Sequence, residues 1–133
     1  MDALKKITRQ LKDQDEIAFA YIYGSVARGE EREDSDIDIA AYLTHHPTLE
    51  DPLLEFNLAL ELEKDIKRKV DLRILNIAPV TFIHQVFKHG KLLFSRDENL
   101  RIKFESQKMD EYLDFLPLLE EYDKKRLERY GLG

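Results

Sequence analysis

Two aspartates two residues apart, Asp36 and Asp38, are the first residues whose types and spacing can do chemistry. On a strand, positions i and i+2 project from one face with roughly 6–7 Å between Cβ atoms. Carboxylates so placed repel by about 2–3 kcal/mol at an effective dielectric of ~20. Against a folding stability of only ~5–15 kcal/mol, that is a burden a bound cation would relieve. Mg²⁺ accepts hard carboxylate oxygens on a rigid element and leaves its other positions to water and substrate phosphates. The same pair could instead be charge that keeps an exposed strand from pairing with another edge.

A second group is Gly24-Ser25, which stops an apolar run and leads into SVAR, a short helix closed by Gly29. A helix start presents unpaired backbone N–H groups and the positive end of the dipole, which suits a phosphate. Glycine lets the backbone approach closely. The Ser25 hydroxyl can donate to a phosphate oxygen, and Arg28, one turn on, can reach the same anion. A Gly-Ser turn that only caps a helix reads the same way. The third residue is Asp71, on the polar side of VDLRIL. If its strand neighbours that of Asp36 and Asp38, three carboxylates converge, an arrangement suited to metal-assisted displacement at phosphorus. Asp71 could then ligate metal and help deprotonate an attacking hydroxyl. Its plainer role is an ion pair with Arg73 or Lys69.

These residues need elements to position them. Leu4, Ile7 and Leu11 predict a short amphipathic helix. IAFAYIY, residues 17–23, is apolar at nearly every position, as expected of a central strand covered on both faces. Residues 36–43 alternate, with Ile37, Ile39, Ala41 and Leu43 opposed to Asp36, Asp38, Ala40 and Tyr42. Asp51-Pro52 reads as an N-cap and first helical position. The helix PLLEFNLALELEKDIKR that follows is apolar on more than one face and is expected to be well covered. Strand VDLRIL, helix PVTFIHQVFKH and a last strand KLLFS come next. From about residue 97 the chain reads as helical, with Pro117 expected to kink or divide the helix. Helices alternating with strands imply an α/β or α+β sheet with helices packed on it.

The chain is 133 residues long, 43% apolar and 36% charged, which fits one globular domain over 1–133. No apolar run approaches the ~18 residues of a membrane span, no cysteine supplies a disulfide or thiolate site, and the composition fits a cytoplasmic protein. A net charge of −6 argues against nucleic acid as a direct partner, since that affinity comes from Lys and Arg facing phosphates. A local basic patch is possible, for example KDIKRK at residues 64–69, which also suits a solvated helix end. His45 and His46 fall in a turn, and His84 and His89 do not share a helical face, so none is read as a metal ligand.

With these residues in place, GSVARGEEREDSDIDIA resembles the fingerprint of the DNA polymerase β-type nucleotidyltransferase superfamily. It is especially similar to the minimal nucleotidyltransferase (MNT) branch, with its Gly-Ser-x-Ala-Arg-Gly start and Ser-Asp-x-Asp-[Ile/Leu] finish. Gly24, Ser25, Ala27, Arg28, Gly29, Ser35, Asp36 and Asp38 carry the match, and Asp71 fits the third carboxylate. Motif and element order together cover about residues 15–95. The resemblance implies a mixed sheet of about four strands flanked by helices. It implies Mg²⁺ held by Asp36, Asp38 and Asp71, and ATP bound through Gly24, Ser25, Arg28 and Ser35. AMP would pass to a hydroxyl with release of pyrophosphate.

Small MNT proteins commonly act beside a HEPN-domain ribonuclease, as antitoxins that transfer AMP to a tyrosine of the toxin. The resemblance therefore implies a HEPN toxin as partner in a hetero-oligomer. Two other readings fit the residues: a binding module that neutralises its partner by occlusion, and a nucleotidyltransferase for a small cationic acceptor of the aminoglycoside type. Leu118, Leu119, Tyr122, Leu127 and Tyr130 offer either a docking surface or a terminal helix packed on its own sheet.

Overall fold

The structure, a computed structural model, describes residues 2–27, 29, 36–47, 52–64, 66 and 68–131. Helix α1 (Asp2–Lys12) leads into strand β1 (Ile17–Tyr23), a four-residue helix α2 (Gly24–Ala27) and strand β2 (Ile37–Leu43). Helix α3 (Leu54–Glu63), strand β3 (Val70–Ile74), a 3-10 turn (Leu75–Ile77), helix α4 (Val80–His89), strand β4 (Lys91–Ser95) and helix α5 (Glu98–Arg129) follow. The four strands form one mixed sheet in the order β3-β2-β1-β4. β1 is antiparallel to both its neighbours, and β2 and β3 are parallel, with α3 as the crossover between them.

The apolar run 17–23 takes the central place that its composition predicts, since six of its seven residues are buried. Alternation then sorts the rest of the sheet into two layers. Ile37, Ile39, Ala41 and Leu43 of β2 join Val70, Leu72 and Ile74 of β3 under Ile7 and Leu11 of α1 and Leu58 and Leu62 of α3. The opposite face is aromatic. Phe19 stacks on Tyr42 with ring centroids 4.8 Å apart, and Phe104 of α5 leans on both. Ile83 and Val86 bring α4 onto the same layer. Asp38 and Asp71 share the period-two parity of this aromatic face.

Polar contacts lock the outer elements. The Tyr21 hydroxyl donates to Glu105 at 2.5 Å, joining the central strand to α5, and Arg101 braces Glu105 from the next turn at 2.9 Å. At the far end of the sheet, the Arg96 guanidinium donates to the carbonyls of Ile17 (2.8 Å), Gln14 (3.2 Å) and Lys12. A cation there satisfies carbonyls that the end of α1 leaves open.

Three expectations need correction. α3 begins at Leu54 and ends at Glu63, shorter than the 52–68 read from the sequence; Asp51, read as its N-cap, lies outside the described residues. Its second apolar face is not covered: Leu58, Ala59 and Leu62 point inward, while Phe56 is 60% and Leu60 46% exposed. α3 packs on the edge strand β3 and against α1, which among the described residues leaves Phe56 and Leu60 open to solvent. Pro117 does not divide α5, which runs as one helix through it. Leu113 and Leu118 on either side are exposed, so the carbonyl that loses its donor is open to solvent.

α5 bears on the C-terminal residues read as either docking surface or packed helix, of which Leu119 is part-buried. Tyr112 stacks on His84 at 3.6 Å, the last ring contact along the helix. Beyond it Leu118, Tyr122, Leu127 and Tyr130 are exposed, so this part does not pack on the sheet.

Replacing Arg96 by alanine removes the clasp between α1, β1 and β4. It should cost about 1–2 kcal/mol, read as a lower urea midpoint with an unchanged m-value. An unchanged midpoint would show that solvent already serves those carbonyls.

Candidate functional site

The site forms where β1 ends and β2 and β3 begin. Tyr23, the last residue of β1, faces Asp38 across the antiparallel pair, and Asp38 faces Asp71 across the parallel pair. Three neighbouring strands therefore set Tyr23, Asp38 and Asp71 in one row. Asp36 stands one step outside β2, exposed, where the Ile37 N–H donates to the Lys69 carbonyl at 2.9 Å and holds the two strand starts together.

Gly24 fits this row for two independent reasons. Its φ of +73° is a left-handed conformation that residues with a Cβ rarely adopt. A Cβ built there would also stand 2.1 Å from Asp38 Oδ2 and 3.0 Å from its Cγ. The Asp38 carboxylate thus lies against the bare Cα of Gly24, at the mouth of the β1–α2 turn. Ser25 is the second residue of α2, so its backbone belongs to that same turn. Arg28 and Ser35, the other residues expected at the nucleotide, lie outside the described residues.

Two aromatic residues and a cation, which sequence reasoning missed, border the row. Tyr23 is half-buried and stands edge-on to Phe82 with centroids 5.4 Å apart. Burial first, and then the negative charges of Asp71 and Asp38, push its phenol well above the ordinary tyrosine value. It therefore keeps its proton at neutral pH and remains a hydrogen-bond donor beside two acids. Arg73 lies over the other part of the wall, its guanidinium 5.2 Å from the Phe82 ring centre. Among the described residues no ion pair joins Asp71 to Arg73 or Lys69. The signal for Arg73 was its parity with Asp71. Phe82 carried none, because the placement of α4 depends on tertiary packing.

Among the described residues, no three carboxylate or imidazole side chains close around one point as a preformed metal cage. What the row offers is hard oxygen donors on adjacent strand starts. Between α3 and β3 runs a cleft of about 920 Å³ whose lining includes Asp36, Asp71, Phe56, Leu60, Leu72 and Ile77.

A parallel-and-antiparallel sheet with a Gly-Ser turn facing paired aspartates defines a nucleotidyltransferase of the polymerase β type. The chain belongs to that family: the model of the family described as "Polymerase beta, Nucleotidyltransferase" matches residues 5–99. It is 39% identical over 71 residues to a Methanocaldococcus jannaschii protein named as a candidate protein adenylyltransferase, spanning 53% of this chain and 79% of that one. Its fold resembles a chain in the crystal structure of a toxin–antitoxin with AMP-PNP, with a TM-score of 0.68 and 24% identity over 90% of this chain and 97% of the other. It also resembles one in a complex of an MNT antitoxin with a tri-AMPylated Shewanella oneidensis HEPN toxin. There the TM-score is 0.63 and the identity 23%, over 90% and 95% of the two chains.

Gly24→Ala should displace the Asp38 carboxylate while leaving the core untouched. Nucleotide transfer should fall about 10²-fold, the usual cost of a misplacement near 1 Å. Full activity in a folded Gly24→Ala variant would mean that the contact does not position Asp38 for chemistry.

Proposed function

We propose that this protein is an Mg²⁺-dependent adenylyltransferase that moves AMP from ATP to a tyrosine hydroxyl of a HEPN-domain toxin and so acts as its antitoxin. The observation that carries the reading is the seating of Asp38 against Gly24 with Asp71 in register beside it. A module that acted by occlusion alone would have no use for carboxylates crowded against a left-handed glycine. The names of the relatives, one an adenylyltransferase and another the partner of an AMPylated HEPN toxin, point the same way.

The residues divide the work by position. Backbone N–H groups of the Gly24-Ser25 turn hold the triphosphate, with Arg28 and Ser35 as further contacts on the same nucleotide. Asp36 and Asp38, with Asp71, would hold Mg²⁺; these hard carboxylates and the substrate's own phosphates would satisfy an ion that rarely occupies an all-protein cage. When bound, the ion neutralises charge on the phosphates. The acceptor oxygen attacks the α-phosphorus, the new O–P bond forms, and the bond to the bridging oxygen of pyrophosphate breaks. Asp71 takes the proton of the attacking hydroxyl. The phenol of Tyr23, held protonated, donates toward charge that gathers on the phosphates. Positioning supplies most of the rate, as in other phosphoryl and nucleotidyl transfers.

Docking falls to the outer part of α5. Its exposed Leu118, Tyr122 and Tyr130 are 60%, 63% and 70% accessible, and tyrosines are favoured at protein interfaces.

Two experiments follow. With α-³²P-ATP and Mg²⁺, the wild type should label the HEPN protein encoded beside it, and Asp36→Ala/Asp38→Ala or EDTA should abolish the label. Neutralisation that survives in the double variant would support occlusion instead. Deleting residues 118–133 should weaken toxin binding at least tenfold while leaving thermal unfolding nearly unchanged, because these residues are outside the core. Normal binding by the truncated chain would place the interface elsewhere.

A further inference from the structure

The edge of the sheet farthest from β3 carries a second cleft, of about 620 Å³, between α1 and β4. Its lining joins Leu4 of α1 and Leu92 and Leu93 of β4 to Lys5, Arg9 and Lys12 of α1. These three cations recur at i, i+4 and i+7 and so form one stripe along the helix. All three are exposed, and among the described residues none has a carboxylate partner and no acid lines the cleft. In a chain of net charge −6 the cleft is a local reversal of sign.

Its occupant must therefore be acidic and partly apolar. Nucleic acid would bring the charge, but the described lining holds no aromatic ring on which a base could stack. Addition of a strand to β4 is also disfavoured. That strand is five residues long, begins on Lys91, and is paired through a register shift between Ala20 and Tyr21. The side chains of a helix fit better.

The chain itself presents such a helix. From Met109 to Asp123, α5 carries Asp110, Glu111, Asp114, Glu120, Glu121 and Asp123 and no lysine or arginine. Phe104 and Tyr112 mark its inner side. At 3.6 residues per turn, the side turned away from them collects Ile102, Met109 and Leu113 with Asp110, Asp114 and Glu120. The three apolar residues are 53%, 37% and 55% exposed, a stripe rather than a single exposed residue. The three acids beside them are exposed and, among the described residues, in no ion pair. Asp110 and Asp114 are four residues apart, as Lys5 and Arg9 are, so both pairs stand at the same rise of about 6 Å.

We infer that the α1–β4 cleft takes the acidic, apolar face of α5 from a second copy of this chain, and that the exchange is mutual. α1 lies on the face of the sheet that Ile7 and Leu11 cover, and α5 lies on the other, with Phe104. A two-fold axis along β4 interchanges the faces, so each copy offers its α5 to the other's cleft. Reciprocity closes the assembly at two copies. It also doubles the buried area, toward the ~1,200–2,000 Å² of stable interfaces. Tyr122 and Tyr130 lie outside this face of α5, so the surface proposed for the toxin stays open. The self-contact is independent of the transfer reaction.

Sedimentation velocity of the full chain at low and high salt reads the assembly, with melting temperature as the control for folding. Wild type should be a dimer at low salt and shift toward monomer at high salt, where the charges are screened. Lys5→Glu/Arg9→Glu/Lys12→Glu should weaken self-association about tenfold or more, because it sets like charges face to face in both contacts. Asp110→Lys/Asp114→Lys/Glu120→Lys should do the same with the signs reversed. An equimolar mixture of the two variants should recover the dimer, since both contacts then join opposite charges. A monomeric wild type at low salt would overturn the inference, as would a dimer that neither reversal weakens. Folded variants that each lose the dimer but fail to pair with one another would overturn it too. Loss in the cleft variant alone would also overturn it, by assigning the cleft to a different acidic surface. Species larger than a dimer would rule out the two-fold exchange.

Discussion

The contact between the Asp38 carboxylate and the bare Cα of Gly24 is the constraint on which the rest of the site depends. It needs a left-handed turn after β1, and only glycine adopts that conformation readily and leaves room for the carboxylate. It also needs β2 to return antiparallel beside β1 in the register that sets Asp38 opposite Tyr23. A slip of one residue would send Asp38 into the layer occupied by Ile37 and Ile39. Burial of those side chains is therefore what fixes the carboxylate in place. The core holds the site.

The sheet gives this arrangement its rigidity. A central strand buried on both faces carries Gly24 at its end, and the parallel neighbour of β2 brings Asp71 to the same line. α4 then closes one side with Phe82, which braces Tyr23 and lies under Arg73. Functional groups thus stand on strand starts and ends rather than in the middle of long loops, which keeps their separations set by hydrogen-bonded register. The outer half of α5 and the exposed side of α3 are the parts that the core does not use.

Much of this was legible in the residues themselves. Alternation in 36–43 and 70–75 announced two half-covered strands, and the all-apolar 17–23 announced the central one, because burial on one face or two leaves different periods. The Gly-Ser and Asp-x-Asp spacing pointed to phosphate chemistry before any register was known. Other features depend on contacts distant in sequence. That Asp71 lies opposite Asp38, rather than one residue away, follows from packing α3 across β2 and β3. The exposed side of α3 could not be told from a buried one, since Phe56 and Leu60 read as core residues until the sheet edge is placed. Phe82 became part of the site wall only through the position of α4. Pro117 was read by its local cost alone, and an exposed helix bears that cost without breaking.

The central claim is that the row of Gly24, Asp38 and Asp71 is where the nucleotide's phosphates are held. The most direct measurement is a crystal structure of this chain with AMP-PNP and Mg²⁺. The account predicts the triphosphate on the Gly24-Ser25 turn and the α-phosphate beside Asp38. A nucleotide whose phosphates avoid the Gly24 turn would contradict it.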